Sequence, residues 1–245
     1  MSTRRLLLIS SSRTPGSGFL EHCQGEIRRL LGSSTKSVLF LPYAQQDHDA
    51  YSRLASEPFG NLGYRLESIH EMDRPVDAIL NAEAIFAGGG NTFRLLNDLY
   101  ELELLDAIRS QVRAGTPYVG SSAGTNIACV SIKTTNDMPI IGPPSLDALG
   151  LVRFNVNPHY LDPDPSPALT SETRDERIRE FHELNSEPVI GLREGSMLRV
   201  IDSDVTLIGE TGGKLFRRRQ PPMEIGAGTR IDQIIDLQAL SRVIR

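Results

Sequence analysis

The stretch Pro117-Tyr118-Val119-Gly120-Ser121-Ser122-Ala123-Gly124 decides the fold, and helix-compatible residues follow it as far as Val130. Apolar residues that suit a buried strand lead into a turn of small residues, from which a helix begins. In this context a G-x-S-x-G pattern is typical of a nucleophile elbow, a strained turn that exposes its central serine, here Ser122, at the carboxyl end of a strand. The alternative is an ordinary strand-to-helix turn, since short glycine-serine patterns recur by accident.

A second glycine cluster lies upstream, after another apolar run. Residues 84–87 are typical of a buried strand, and Gly88-Gly89-Gly90-Asn91 follows them directly, before a long helical pattern. Backbone N–H groups at such a junction can converge on an oxyanion, and glycine lets a substrate carbonyl approach closely. The expected oxyanion hole consists of the N–H groups of Gly89, Gly90 and Ala123, the residue after the predicted nucleophile.

The length of 245 residues suits one large α/β domain, residues 1–245, rather than two small ones, and the composition argues against several classes of partner. A net charge of −5 argues against a surface that binds the phosphate backbone of nucleic acids. Two arginines precede only four apolar residues near the start, too few for the core of a signal peptide or for a membrane span. Cys23 and Cys129 lack the spacing of a metal site and are expected to be buried thiols of a cytoplasmic protein.

Short apolar runs alternate with amphipathic helical patterns through the first half of the chain. Strands are predicted at Leu6–Ile9, Ser37–Leu41, Tyr64–Ile69, Ala84–Ala87 and Tyr118–Gly120, and helices at Phe19–Leu31, Tyr51–Phe59, Val76–Leu80 and Phe93–Val112. This alternation predicts a three-layer α/β sandwich, in which a parallel sheet has helices on both faces. Sites in such sheets lie beyond the carboxyl ends of the strands, where both glycine clusters fall.

The second half of the chain is less regular and is expected to end in antiparallel strands. The predicted elements are a strand at Val152–Val156, a proline-rich loop at Leu161–Leu169, a helix that begins after Ser171, and a strand at Val189–Leu192. Glycine turns separate three further runs, at Leu198–Ile201, Val205–Ile208 and Lys214–Phe216. These runs predict antiparallel strands that close the C-terminal edge of the sheet.

A serine nucleophile needs a base, and histidine is the usual one near neutral pH. Among the five histidines, His159 follows a predicted strand and precedes the proline-rich loop, at an edge where sites form. Pro158 restricts Asn157 to extended backbone and helps to fix the imidazole. We therefore expect His159 to be the base; the alternative is a structural histidine at a strand end.

The imidazole in turn needs an acceptor for its second ring nitrogen. Glu194 follows the strand predicted at Val189–Leu192 and precedes Gly195, whereas Asp137 lies in a polar loop after the helix of Ser122. Spacing alone does not choose between these two carboxylates.

Six motifs together resemble the peptidase E (α-aspartyl dipeptidase) family. Their order and spacing, over most of the chain, are far more specific than any one of them: Gly88–Asn91, Gly120–Gly124, Thr134–Ile140, Asn157–His159, Glu172–Arg174 with Arg177–Arg179, and Gly191–Gly195. The resemblance implies a flavodoxin-like fold of the class I glutamine amidotransferase type. Related families are cyanophycinase-like hydrolases and, more remotely, amidotransferases. The latter have a cysteine at the elbow, so Ser122 argues against that activity.

The resemblance implies hydrolysis of dipeptides with N-terminal aspartate, Asp-X, through an acyl-serine. Ser122 and His159 match the family's nucleophile and base, and both Asp137 and Glu194 match residues assigned as the third member. We favour Glu194, because it ends a strand. A broader cyanophycinase-like peptidase or esterase is an alternative, and so is a non-catalytic protein that binds small molecules on this scaffold.

An aspartyl side chain needs a cation, ideally an arginine that holds its carboxylate through two hydrogen bonds. Arg174 opens the helix beyond His159, where the side chain and the helix N-terminus both favour an anion; otherwise it is a solvated helix charge. Asn91 and Lys133 are further candidates for substrate contact. The expected partners are small peptides. No cofactor, metal, nucleic acid or membrane is expected, and the protein is expected to be a monomer or a homodimer.

Overall fold

The computed structural model of the protein describes residues 3–163 and 172–235. The proline-rich loop predicted at 161–169 is therefore described only as far as position 163. Ser171, after which a helix was predicted to begin, also lies outside the described residues.

Two sheets account for the strands of the described residues. The strands are β1 Arg5–Ile9, β2 Ser37–Leu41, β3 Arg65–Ser68, β4 Ile85–Ala87, β5 Tyr118–Ser121, β6 Asn155–Pro158, β7 Val189–Leu192, β8 Ser196–Ile201, β9 Asp204–Gly209, β10 Gly213–Phe216 and β11 Met223–Ile225. The main sheet has seven strands, in the order β3-β2-β4-β5-β1-β8-β9, and the second sheet has four, in the order β11-β10-β7-β6. In the main sheet β1 to β5 run parallel, and β8 and β9 are antiparallel at one edge. The predicted α/β class with antiparallel strands at this edge is confirmed.

Helices of the described residues cover both faces of the main sheet, and one packs on the second sheet. The helices are α1 Gln24–Leu31, α2 His48–Asn61, α3 Pro75–Leu80, α4 Thr92–Glu101, α5 Leu105–Arg113, α6 Ala123–Ala128, α7 Arg174–Leu184 and α8 Ile231–Ile234. The helix on the second sheet is α7. Apolar residues of α1 and α2 form one core with one face of the sheet, whereas those of α3, α4 and α5 belong to the core on the other face. No helix in this part of the chain combines the length and the apolar character that crossing a bilayer requires.

The residues of β1 show why the sheet is buried on both sides. Leu6 and Leu8 point into the core that α4, α5 and the second sheet complete, and Leu7 and Ile9 point into the core with α1 and α2. Side chains alternate along a strand, so an uninterrupted apolar run requires cover on both faces. This is the physical reason for the layered fold.

The predicted helix at Phe93–Val112 is wrong in one respect, because two helices replace it. The chain turns between α4 and α5, where Glu103 has a φ of 55°. The N–H group of Leu104 donates to the carbonyl of Leu99 at 2.9 Å, and both leucines are fully buried. The turn therefore brings apolar side chains inward that one straight helix would spread around its axis.

The second sheet is a larger departure from the sequence-based expectation, which placed Lys214–Phe216 at the edge of the main sheet. The structure pairs β10 with β7 instead. Leu192 lies opposite Gly213 in the second sheet, and Ser196 lies opposite Gly209 in the main sheet, so the register continues unbroken between them. The four strands β7, β8, β9 and β10 are thus one long hairpin, bent where it passes from one sheet to the other.

The turn between β5 and α6 depends on close backbone contact that only glycine permits. A Cβ atom on Gly124 would lie 2.0 Å from the carbonyl oxygen of Ala87 at the end of β4, and one on Gly120 would lie 2.5 Å from the carbonyl oxygen of Gly124. Both glycines of the G-x-S-x-G pattern are therefore required by packing. The helix after Ser122 is pressed against β4 as a result.

Gly124→Ala should destabilise the protein by about 3 kcal/mol, the upper part of the usual range for overpacking, because rigid backbone blocks the added methyl group. Urea unfolding followed by circular dichroism measures this change. Gly25→Ala is the matched control: a Cβ added at this position of α1 meets no atom of residues 3–163 or 172–235 within 4 Å, so this change should stabilise the helix by roughly 0.5–1 kcal/mol. Equal stability of the two variants would contradict the packing argument.

Candidate active site

Ser122 lies at the junction of β5 and α6 in a conformation that few residues adopt. Its φ is 52° and its ψ is −107°, outside the regions that L-residues favour, at a cost on the order of 1–3 kcal/mol. The N–H group of Ser122 donates to the carbonyl of Ile9 at 3.0 Å, and its carbonyl accepts from the N–H groups of Thr125 and Asn126. These hydrogen bonds hold the strained turn in place.

His159 directly follows β6 and also has a positive φ, of 52°. Its N–H group donates to the Oγ atom of Ser10 at 2.9 Å, and this hydroxyl donates to the carbonyl of Leu192 at 2.7 Å. Ser10 is fully buried just past the end of β1. One hydroxyl of the main sheet thus fixes the backbone at the carboxyl ends of both β6 and β7.

Glu194 lies in the bend of the long hairpin, two residues past the end of β7. Its backbone carbonyl accepts a hydrogen bond from the hydroxyl of Thr211 on the opposite arm, at 2.5 Å. Because β6 and β7 are parallel and Pro158 pairs with Leu192, both strands end at the same edge. His159 and Glu194 therefore lie side by side.

The three side chains form a continuous hydrogen-bonded chain. The Nε2 atom of His159 lies 3.0 Å from Oγ of Ser122, and its Nδ1 atom lies 2.5 Å from Oε1 of Glu194. A carboxylate only accepts, so the ring proton sits on Nδ1, and Nε2 is left to accept the hydroxyl proton of Ser122. The side chains of His159 and Glu194 are about two-fifths exposed, at 41% and 43%, so small molecules can reach them.

Asp137, the other carboxylate that the sequence offered, is engaged elsewhere. Its Oδ2 atom accepts hydrogen bonds from the N–H group of Thr92 at 2.7 Å and from the hydroxyls of Thr92 and Thr135. A carboxylate at this position satisfies the first turn of α4 and its dipole. Among the described residues, the carboxylate that is hydrogen-bonded to His159 is that of Glu194.

The three N–H groups expected to form the oxyanion hole differ in whether they already have an acceptor. The N–H group of Gly89 donates to the hydroxyl of Tyr51 at 2.7 Å, so it is already engaged. In the described part of the chain no acceptor meets the N–H group of Gly90, nor that of Ala123 at the first position of α6, where helices leave donors unpaired. These two donors are the ones open to a ligand.

A pocket of about 700 Å³ opens beside Ser122. It is lined by Ser12, Arg13, Phe19, Gln45, Asp47, Ala50, Tyr51, Leu54, Gly89, Gly90, Ser122, Asp137 and His159. Much of this lining comes from the loop after β1 and from the first turns of α2. The pocket is large enough for a small peptide.

The three residues predicted to contact substrate do not line this pocket. Asn91 caps α4: its Oδ1 atom accepts from the N–H group of Arg94 at 3.0 Å, and its Nδ2 atom donates to the carbonyl of Met138. Lys133 donates to the side chain of Asn185 at 3.0 Å on the surface. A role of either residue in substrate binding stays a prediction.

Arg174 is the first residue of α7, which a capping box of Thr173 and Glu176 begins. The guanidinium is partly buried, and this burial, followed by the nearby positive charge of Arg177, lowers the pKa of Arg174. No hydrogen bond or ion pair reaches it from residues 3–163 or 172–235. Arg174 is therefore a partly desolvated cation without an anion in this part of the structure.

Sequence reasoning missed Ser10, Tyr51 and Arg13. Ser10 follows the end of β1, so the rule that sites form at the carboxyl ends of strands could have singled it out. No local pattern marks Tyr51, whose hydroxyl reaches the glycine cluster from α2, or Arg13, whose loop is brought to the pocket by the tertiary fold.

A separate group of possible metal ligands lies at the surface. Ligand atoms of Asp49, His70 and Glu71 come within 4.8 Å of one another. The ring of His70 is hydrogen-bonded to Asp49 and to the hydroxyl of Ser68. Asp49 and Glu71 are exposed, and none of the three residues lines the pocket of Ser122.

Comparisons with known proteins agree on one family. The chain is 46% identical to peptidase E of Streptomyces coelicolor over 233 residues, which is 95% of this chain and 96% of that protein. It is 51% identical over 218 residues to the probable alpha-aspartyl dipeptidase of Drosophila melanogaster, covering 88% and 91% of the two chains. The structure of a putative peptidase E protein from Listeria monocytogenes shares the fold, with a TM-score of 0.66 and 22% identity over 86% of this chain and all of that one.

A family model also matches most of the chain. Residues 6–208 match the model of Peptidase family S51, a range that includes Ser122, His159 and Glu194. The resemblance expected from the six motifs is confirmed: the chain belongs to peptidase family S51.

Proposed function

We propose that the protein is a serine dipeptidase that hydrolyses Asp-X dipeptides through an acyl-serine intermediate. The observation that carries the proposal is the hydrogen-bonded chain from Oγ of Ser122 through His159 to Glu194, with distances of 3.0 Å and 2.5 Å. The relative named a probable alpha-aspartyl dipeptidase supports the choice of substrate. It also favours this function over a broader peptidase or a non-catalytic binding protein.

In the proposed acylation, Oγ of Ser122 attacks the carbonyl carbon of the aspartyl residue while Nε2 of His159 takes its proton. Glu194 stabilises the resulting imidazolium and keeps the ring oriented. His159 then gives the proton to the leaving amine, and the dipeptide bond breaks. Water then attacks the carbonyl carbon of the acyl-serine while Nε2 of His159 takes its proton. The bond from this carbon to Oγ of Ser122 breaks, Oγ receives the proton from His159, and aspartate leaves.

The negative charge that develops on the substrate oxygen needs donors fixed in advance. We assign this role to the N–H groups of Gly90 and Ala123, because neither has an acceptor within the described residues. Gly89 instead leaves room beside Ser122, because a Cβ atom at position 89 would lie 3.2 Å from Cβ of Ser122. The hydroxyl of Tyr51 holds the Gly89 peptide in position, and burial raises its pKa, so the hydroxyl stays protonated.

We also propose a cytoplasmic location. Cys23 and Cys129 are both free and buried, and burial raises the pKa of each thiol to about 12. Thiols of this kind suit a reducing compartment, where disulfides are rare. A monomer and a homodimer are both compatible with the proposed site, since the three catalytic candidates come from one chain.

Cleavage of Asp-Leu, but not of Leu-Leu or of an Asp-initiated tripeptide, is the expected result of an assay with the purified protein. Ser122→Ala should reduce turnover of Asp-Leu on the order of 10⁶-fold while leaving the circular dichroism spectrum unchanged, because nucleophile and base act as a unit. A chelator should have no effect on the rate.

The other outcomes of this assay identify the alternatives. Broad cleavage would indicate a cyanophycinase-like peptidase or esterase, and no turnover would indicate a binding protein. More than a tenth of the normal rate in Ser122→Ala would refute the role of the elbow serine. Loss of activity in chelator that zinc restores would indicate a metal-dependent mechanism.

Glu194→Gln should lower kcat for Asp-Leu by about 10³–10⁴-fold, as removal of a triad carboxylate does, because the imidazolium loses its stabilising charge. Asp137→Asn is the matched comparison. Asp137→Asn should reduce activity less than Glu194→Gln does. It should destabilise the protein more, since Asp137 accepts three hydrogen bonds at the start of α4. Steady-state kinetics and thermal unfolding of both variants measure these effects. The reverse ranking of activities would transfer the orienting role to Asp137.

Arg174→Ala should lower kcat/KM for Asp-Leu about 10²-fold or more, within a range of roughly 2–4 kcal/mol, because the aspartyl carboxylate would be left without its proposed partner. Arg174→Lys should restore only part of this, since an ammonium cannot form the same pair of hydrogen bonds. Arg179→Ala, which removes an exposed charge from the same helix, is the control and should stay within twofold of the parent. An equally small effect of Arg174→Ala would assign Arg174 to the solvated face of α7 and make Lys133 the next candidate.

A further inference from the structure

Arg13 lies at the boundary between the pocket of Ser122 and a second groove. Arg13, Phe19 and Leu54 line the pocket. The same three residues line a neighbouring groove of about 560 Å³, which also has Glu21 and Glu57 in its wall. A peptide that leaves the pocket in this direction must pass Arg13.

The charges around the pocket single out Arg13 as its available cation. Among the described residues that line the pocket, Arg13 is the one arginine or lysine, and it is exposed. The two lining carboxylates are already engaged: Asp47 accepts from the N–H group of Ala50 at 2.8 Å, and Asp137 accepts from Thr92. Within residues 3–163 and 172–235, no hydrogen bond or ion pair reaches the guanidinium of Arg13.

We infer that Arg13 binds the terminal carboxylate of the second residue of the substrate and thereby limits cleavage to dipeptides. This inference rests on the proposed function. An Asp-X dipeptide has two carboxylates, and Arg174 is proposed for the one in the aspartyl side chain. The other lies on the leaving residue, one residue past the bond that Ser122 attacks. A guanidinium holds such a carboxylate through two parallel hydrogen bonds.

The neighbours of Arg13 suit the rest of the leaving residue. Phe19 packs edge-on against Tyr51, with ring centroids 6.0 Å apart, and Leu54 is 38% exposed. These two side chains offer an apolar surface to the side chain of a residue such as leucine. A longer peptide would carry its terminal carboxylate past them into the neighbouring groove. The described wall of this groove has two carboxylates, Glu21 and Glu57, against the one cation Arg13, so its net negative charge repels the carboxylate.

The test compares Asp-Leu with Asp-leucinamide, which differs only in lacking the terminal charge. Arg13→Ala should lower kcat/KM for Asp-Leu about tenfold, the effect of losing a hydrogen bond to a charged group, and should leave Asp-leucinamide within twofold. The loss for Asp-Leu should shrink at high ionic strength, because Arg13 is exposed and salt screens its charge. Arg53→Ala is the matched control: it removes an exposed arginine of α2 that does not line the pocket, and should change neither substrate more than twofold.

Equal losses for the two substrates, or no loss for Asp-Leu, would overturn the inference. Calorimetric binding to Ser122→Ala protein, with and without Arg13→Ala, gives a readout that does not require turnover. If the parent cleaves neither substrate, the proposed function fails. The inference then depends on whether Asp-Leu binds more tightly than Asp-leucinamide and loses that advantage in Arg13→Ala; absence of such binding overturns it as well.

Discussion

The close approach of the helix after Ser122 to the end of β4 is the constraint on which the rest of the site depends. It leaves no room for a side chain at Gly124, and it holds Ser122 at a φ of 52°. The strain of this turn is held by the end of β1, since the carbonyl of Ile9 accepts hydrogen bonds from the N–H group of Ser122 and the hydroxyl of Thr125. The next residue, Ser10, fixes the backbone of His159. One strand end therefore supports both the proposed nucleophile and the proposed base.

Much of the fold could be predicted from the sequence because its signals are local. Short apolar runs between amphipathic patterns identified β1 to β5, and the G-x-S-x-G pattern identified the turn between β5 and α6. The hairpin that bends between two sheets could not be foreseen, since each of its four strands is a plausible edge strand when considered alone. The break at Glu103 was also hidden, because a glutamate gives no sign that it will adopt a positive φ.

Part of the candidate site could likewise be predicted from the sequence, and part could not. Strand ends identified Ser122, His159 and Glu194, and the structure brings their side chains within hydrogen-bonding distance. Spacing could not choose between Glu194 and Asp137, because the choice depends on which loop faces the imidazole. The bend of the hairpin and the parallel pairing of β6 with β7 decide this, and both are properties of the tertiary fold. The same holds for Arg13, whose position beside the pocket depends on how the loop after β1 folds back.

Ser122 belongs to the main sheet, whereas His159 and Glu194 belong to the second, so the proposed catalytic chain crosses from one sheet to the other. The distance of 3.0 Å between Nε2 of His159 and Oγ of Ser122 therefore depends on how the two sheets are aligned. A sliding motion of about one ångström would separate base from nucleophile, although every strand and helix would stay intact. Since a misplacement of this size can lower the rate about 10²-fold, any condition that loosens the contact between the sheets would reduce activity while the strands and helices remain folded. Substitutions of residues that lie between the two sheets, even far from the substrate, would change the rate of catalysis for the same reason.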